Sequence, residues 1–259
     1  MGSKYPIILV HGIALKDYKF FRAFGRIEYI LKSQGHIVYT STTDGFGTIE
    51  NNALQLKEQI LEVLEKHNVD KVNLIAHSKG GLDSVYMIEQ LGMADRIASL
   101  TTLSTPYKGS PIATFLLKLP KFLIKIISFW VNLIYKIFKD KKPDSYKTCI
   151  QLKEVEDTSI KTLNVENDIY VQSYSSTMKK SRDDFVMGIP LLYFKYKKAG
   201  ESDGMVSKES SKFGEYKGDM LEESISHAEM VDFTFNKEKK EKVYAFYLKI
   251  VNELVEKGF

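Results

Sequence analysis

Short β-rich runs alternate with longer helical patterns through the first hundred residues. Ile7 to Val10 is an apolar run of strand length, and Tyr18 to Ser33 has helical spacing that stops at Gly35. Ile37 to Thr40 predicts a second strand. Ile49 to His67 predicts a long amphipathic helix, with Leu54, Ile60, Leu61 and Leu64 near one stripe. Val72 to Ala76, Gly80 to Leu91 and Ile97 to Leu103 continue the series as strand, helix, strand. A strand, helix, strand rhythm predicts an α/β fold: a mostly parallel central sheet with helices on both faces. Sites in such sheets lie beyond the carboxyl ends of the strands. The loops after Val10, Ala76 and Leu103 are therefore the places to search.

The chain of 259 residues is 44% hydrophobic, enough to bury one large core. It shows no internal repeat and no low-complexity linker, so residues 1–259 are expected to form a single domain. Thirty-seven basic against 33 acidic residues leave a net charge of +4, too small and too dispersed to argue for nucleic acid. The lone cysteine, Cys149, excludes an intramolecular disulfide and any paired-cysteine metal site. The N-terminal apolar run is too short for a secretory signal. Pro6 stands where a myristoylation motif needs Ser or Thr. The expected location is cytoplasmic or peripheral to a membrane, or secreted if a signal has been removed.

Residues 111–142 have a different character. On a helix starting near Pro120, Lys121, Lys125, Ser128, Asn132, Lys136 and Lys139 share one narrow sector. Phe122, Ile126, Phe129, Trp130 and Leu133 lie in the broad apolar arc that covers the rest. A membrane span would not carry such a stripe. A cationic amphipathic helix lying on a surface fits the pattern. The competing reading buries the apolar arc and shows only lysines to water. Farther along, 168–175 and 191–196 read as strands, and 241–257 reads as a closing helix.

Ala76-His77-Ser78-Lys79-Gly80-Gly81 sits between a predicted strand and a predicted helix. A serine on such a sharp turn has its hydroxyl held up and exposed, and the small residues around it let strand and helix approach. The helix start also aims amides at a developing negative charge. His11-Gly12-Ile13 follows the first strand, and the amides of Ile13 and Lys79 are the expected oxyanion donors. A capping serine and a plain turn are the competing readings of these two segments. The base is found by elimination among five histidines. His11 belongs to the oxyanion loop, and the side chain of His77 should point away from the elbow. His36 follows a helix-ending glycine, and His67 ends a solvated helix. That leaves His227, in a polar loop before the last helix. The acid expected to orient it is Asp203, in a turn after the strand predicted around residues 193–196. Asp219 and Asp232 are poorer alternatives, and Asp168 begins a strand rather than following one.

With these residues in place, the chain resembles the bacterial triacylglycerol lipases of the α/β-hydrolase superfamily. The likeness rests on four ordered segments: residues 6–12, 76–81, Leu103-Ser104-Thr105-Pro106-Tyr107-Lys108-Gly109-Ser110, and 202–206 with His227. The order Ser78, Asp203, His227 is the superfamily's. The resemblance implies an α/β-hydrolase fold and a serine nucleophile acting on lipid esters. It also implies that residues 108–147 form a helical lid, with Phe122, Ile126, Phe129, Trp130 and Leu133 meeting the substrate or an interface. The partners implied are a lipid or ester substrate and, through the lid, a membrane or lipid-droplet surface. Oligomeric state is left open. No cofactor is required by this chemistry. Some members bind a structural calcium near the triad histidine; the corresponding residues here would be Glu229 with Asp183 or Asp184. The same acyl-enzyme would serve an acyltransferase or a thioesterase. A non-catalytic module that binds a membrane, a protein or a second copy through residues 111–142 is a further alternative.

Overall fold

The computed structural model describes residues 2–19, 21–154, 169–197 and 199–259. Its elements run β1 (Ile7–Val10), α1 (Ile27–Ser33), β2 (Val38–Thr40), α2 (Ile49–His67), β3 (Val72–His77), α3 (Lys79–Gln90), β4 (Ile97–Leu103), α4 (Pro111–Leu116), α5 (Lys121–Ile137), α6 (Ser145–Gln151), β5 (Tyr170–Ser175), α7 (Phe185–Lys197), β6 (Glu215–Asp219) and α8 (Lys237–Glu256). The strands form one sheet in the order β2-β1-β3-β4-β5-β6, with every pairing parallel.

β1, β3 and β4 are buried along their whole length, as expected of central parallel strands covered on both faces. Their side chains alternate between two cores. Ile7, Leu9 and Ile75 pack on one face with α1 and α8, through residues such as Tyr247 and Ile250. Ile8, Val10 and Leu74 pack on the other face with α2 and α3, through Leu56, Ile60 and Val85. Local chemistry sets the ends of α2. The Thr48 hydroxyl accepts the Asn51 N–H at 3.3 Å, and Asn68 closes the helix at a left-handed φ of 49°.

Two expectations need correction, and one strand had no sequence signal. The helix predicted from Tyr18 starts only at Ile27. Before it, Asp17 accepts the Ala23 amide, Tyr18 bridges Phe21, and Gly25 turns left-handed at φ 49°. The strand predicted over 191–196 is part of helix α7. Gly188, Leu191 and Phe194 are its buried positions, a spacing of three that only a helix puts on one face. β6 went unpredicted because its sequence, Glu-Tyr-Lys-Gly-Asp, has no apolar alternation. The expectations for Asp168 fall outside the described residues. Among the described residues, no helix is long and apolar enough to cross a membrane.

Candidate active site

β1 pairs with β2 on one side and β3 on the other, so the chain changes direction across the sheet between β1 and β3. The loops leaving these two strands diverge there and open a crevice. His11-Gly12-Ile13 leaves β1 on one wall, and Ser78 leaves β3 on the other. Ser78 is the single residue between β3 and α3, at φ 55° and ψ −130°. That strained, left-handed φ turns the chain from strand to helix in one step. Glycine is required around it. A Cβ on Gly12 would sit 2.7 Å from Ser78 Cβ, and one on Gly80 would sit 2.6 Å from the Val10 and His11 carbonyl oxygens.

His11 organises the first wall. A carbonyl only accepts, so the contact of 2.9 Å makes His11 Nδ1 the donor to the Gly12 oxygen. His11 Nε2 then accepts from Thr43 Oγ1 at 3.2 Å. Burial lowers the His11 pKa, which keeps this neutral tautomer. In a trans peptide, C=O and N–H point in opposite directions. Tying the Gly12 oxygen to His11 therefore turns the Ile13 N–H away from it. Among the described residues, no protein acceptor engages the amides of Ile13 or Lys79.

Asp203 and His227 are in direct contact. His227 Nδ1 donates to Asp203 Oδ2 at 2.7 Å, and the His227 amide donates to the Asp203 carbonyl at 3.0 Å. Asp203 Oδ1 accepts the Met205 and Val206 amides at 2.9 and 2.8 Å. Complete burial would raise the Asp203 pKa. The His227 charge, its hydrogen bond and the two amides outweigh that and hold the carboxylate below its ordinary range. Asp203 does not follow a strand at 193–196. It lies beyond the carboxyl end of β5, where Ser176 Oγ reaches Asp203 Oδ2 at 3.3 Å.

His77 does not simply point away. Its Nε2 donates to the His227 carbonyl at 3.1 Å and the two rings lie 4.4 Å apart, so His227 rests against the residue preceding Ser78. No hydrogen bond among the described residues joins Ser78 Oγ to His227. Such bonds in unliganded sites often tighten only when substrate binds. Asp219 and Asp232 are engaged elsewhere, Asp219 by Thr177 and Lys208, and Asp232 by the Arg26 amide and Tyr244.

A cavity of ≈ 290 Å³ opens over Ser78. Its walls are mostly apolar and include Ile13, Leu116, Ile124, Ile127, Val131 and Leu152. This narrows the expectation that Phe122, Ile126, Phe129, Trp130 and Leu133 of α5 meet the substrate or an interface. They do not line the cavity; the opposite side of α5 does. Ile124 and Ser128 are buried, whereas Phe122 is 69% and Phe129 62% exposed. The reading in which the helix buries its apolar arc is also overturned, because that arc faces outward.

The carboxyl end of α5 is tied down by a reciprocal clasp. Asp44 accepts the amides of Lys141 and Lys142, both at 2.7 Å, while Asp140 accepts those of Gly45 and Phe46 at 3.1 and 3.0 Å. Lys16 Nζ lies 3.5 and 3.0 Å from the two carboxylates. Sequence reasoning also missed a second buried network. Lys79 Nζ pairs with Asp83 at 2.7 Å, one helical turn on, and Asn52 Nδ2 donates to Asp83 and to the Asp44 carbonyl. The i, i+4 spacing of Lys79 and Asp83 was the available signal. Burial raises the Asp83 pKa to about 6 against the pull of Lys79.

The residues considered for calcium are engaged by the chain's own donors. Glu229 pairs with Lys239 Nζ at 2.8 Å and accepts from the Ser226 amide and Thr234 hydroxyl. Asp184 caps α7 through the Val186 and Met187 amides and takes the Ser226 hydroxyl at 2.6 Å. Asp183 takes the Ser224 hydroxyl at 2.5 Å. Lys239 thus already supplies the positive charge at Glu229. Among the described residues, no group of three or more potential ligands gathers.

No family model matches the chain. Its sequence is 28% identical to triacylglycerol lipase 2 of Saccharomyces cerevisiae, over 90% of this chain and 73% of that protein. It is 38% identical to a triacylglycerol lipase of Pseudarthrobacter phenanthrenivorans, over 44% of this chain and only 37% of that protein. Among solved structures, the mature lipase BlEst2 of Bacillus licheniformis matches with a TM-score of 0.63 at 17% identity, covering 96% of this chain and 92% of that one. The Staphylococcus hyicus lipase matches with a TM-score of 0.66 at 14% identity, covering 98% and 96%. These likenesses bear out the α/β-hydrolase fold and the resemblance to triacylglycerol lipases.

Proposed function

We propose that this chain, a carboxylic ester hydrolase of the α/β-hydrolase fold, cleaves lipid esters through Ser78, His227 and Asp203. Ser78 Oγ attacks the ester carbonyl as His227 Nε2 takes its proton. Asp203 holds the Nδ1–H and stabilises the imidazolium that forms. The free amides of Ile13 and Lys79 receive the carbonyl oxygen as it becomes negative. His227 then passes the proton to the leaving alcohol, and water releases the acyl group by the same route. The observation that carries this reading is the 2.7 Å Asp203–His227 bond beside a strained serine that faces an apolar cavity. That cavity suits an acyl chain better than a polar acid. Residues 108–147 serve as a lid of the single domain. The inner side of α5 lines the acyl site, and its outer arc meets a lipid surface.

The test is a series of p-nitrophenyl esters from acetate to palmitate, assayed below and above each ester's solubility limit. Rates should rise with chain length and jump where an interface appears. Smooth saturation favouring acetate would overturn the lipid-ester reading. A competing alcohol in the same assay separates hydrolysis from acyl transfer.

The reading includes no metal. Ion pairing of Glu229 with Lys239, 15% exposed, holds the His227 loop in place of a cation. Chelation with EDTA, or added calcium, is therefore expected to leave both the hydrolysis rate and the melting temperature unchanged. A chelator-induced fall in melting temperature, reversed by calcium, would contradict it.

A further inference from the structure

α7 has no place in the chemistry above, yet its surface is unusual. Phe185, Ile189, Leu192 and Tyr196 fall within about 60° of one another at 100° per residue, and all four face outward. Their exposures are 88%, 68%, 55% and 81%. The buried side of the same helix is supplied by Gly188, Leu191 and Phe194. A helix that is apolar inside and also apolar outside has a partner for only one of its faces.

This stripe does not stand alone. Phe115 of α4 packs on Tyr193 of α7 with ring centroids 4.7 Å apart. Phe115 and Leu116 are themselves about half exposed, and the chain continues from α4 directly into α5. α4 thus connects the two helices whose apolar residues face outward. Charge frames both. Residues 111–147 carry eight lysines against two aspartates, while the whole chain is only +4, so the remainder is net negative. Both aspartates are already used, Asp140 in the clasp and Asp144 as the cap of α6. Around α7, Lys180, Arg182, Lys195 and Lys197 are exposed. Asp183 and Asp184 face the Ser224–Ser226 loop instead.

We propose that α7 is a second lipid-inserting helix, which together with α5 docks the protein on a surface of anionic headgroups. This extends the reading of α5 as the interfacial side of a lid. The apolar stripes enter the acyl boundary while lysines and Arg182 remain at headgroup level. A second copy of the chain fits poorly, because two such surfaces would bring like charges together. α7 lies outside residues 108–147, so its grip on the membrane does not depend on lid position.

Flotation with vesicles tests this, using Ser78→Ala protein so that no lipid is consumed. The vesicles are phosphatidylcholine with and without phosphatidylglycerol, at low and high salt. Binding is expected to require phosphatidylglycerol and to weaken with salt. The double variant Phe185→Ser, Ile189→Ser should lose at least ~30-fold in partitioning, from the burial lost by two large side chains. In the Ser78-containing background, the same double variant should hydrolyse dissolved p-nitrophenyl acetate at the parental rate. Unchanged partitioning of the double variant would overturn the proposal, as would equal binding to pure phosphatidylcholine. So would a dimer in solution that the double variant converts to monomer. Flotation reads binding alone, so failure of the catalytic reading would appear only in the hydrolysis assay.

Discussion

Ser78→Ala is expected to lower p-nitrophenyl butyrate hydrolysis by at least ~10⁴-fold, the scale on which a nucleophilic serine acts with its base and its oxyanion donors. The fold should survive. The Ser78 hydroxyl makes no hydrogen bond among the described residues, and alanine tolerates the same left-handed backbone no worse than serine does. Circular dichroism and melting temperature should match the parent. A fluorophosphonate probe should label the parent at Ser78 and leave the variant unlabelled. Retained turnover in a folded Ser78→Ala protein would remove Ser78 from the mechanism and leave the crevice without a nucleophile.

The second large effect concerns stability. Lys79→Met would leave Asp83 buried beside Asn52 without its cation. Breaking one half of a buried ion pair typically costs ~3–5 kcal/mol. A urea titration should read that loss as a lower midpoint with a similar slope. Its pH dependence has a definite sign. The Asp83 pKa is raised to about 6 in the folded protein, above the ordinary aspartate value. Between the ordinary value and pH 6, the folded state therefore binds more protons than the unfolded one. The contribution of Asp83 to stability is then largest in acid and declines as pH rises toward 6. Without Lys79 that decline should steepen and extend to higher pH. Adding Asp83→Leu to Lys79→Met should recover most of the stability, because both charges are then gone. If Lys79→Met proved as stable as the parent at every pH, the pair would contribute nothing to the fold.

Lys79 also shows how far the sequence could be read. Its amide was legible as an oxyanion donor, because the residue after a serine on a strand-to-helix turn begins the helix. Its side chain was not, because an ammonium on the first turn of a helix would ordinarily be solvated. The i, i+4 spacing offers Asp83 as a partner, but only the packing of α2 against α3 takes the pair out of water.

The same division holds across the molecule. Alternation of short apolar runs with amphipathic ones is a local property, and it carried the parallel sheet, most of its strands and the turn at Ser78. Glycines beside that turn were readable for the same reason, since a close backbone approach demands a missing Cβ wherever it occurs. α7 was misread because Gly188, Pro190 and a run of aromatic residues imitate a strand when taken singly. Its helical spacing shows only once Gly188, Leu191 and Phe194 have a common surface to bury against. The stripe of α5 was readable, but its orientation was not. Periodicity identifies two faces of a helix without saying which one turns inward. The clasp between Asp44 and Asp140 holds one end of α5, and the cavity over Ser78 takes Ile124, Ile127 and Val131. Contacts between residues roughly a hundred positions apart decided that, and no local pattern encodes them.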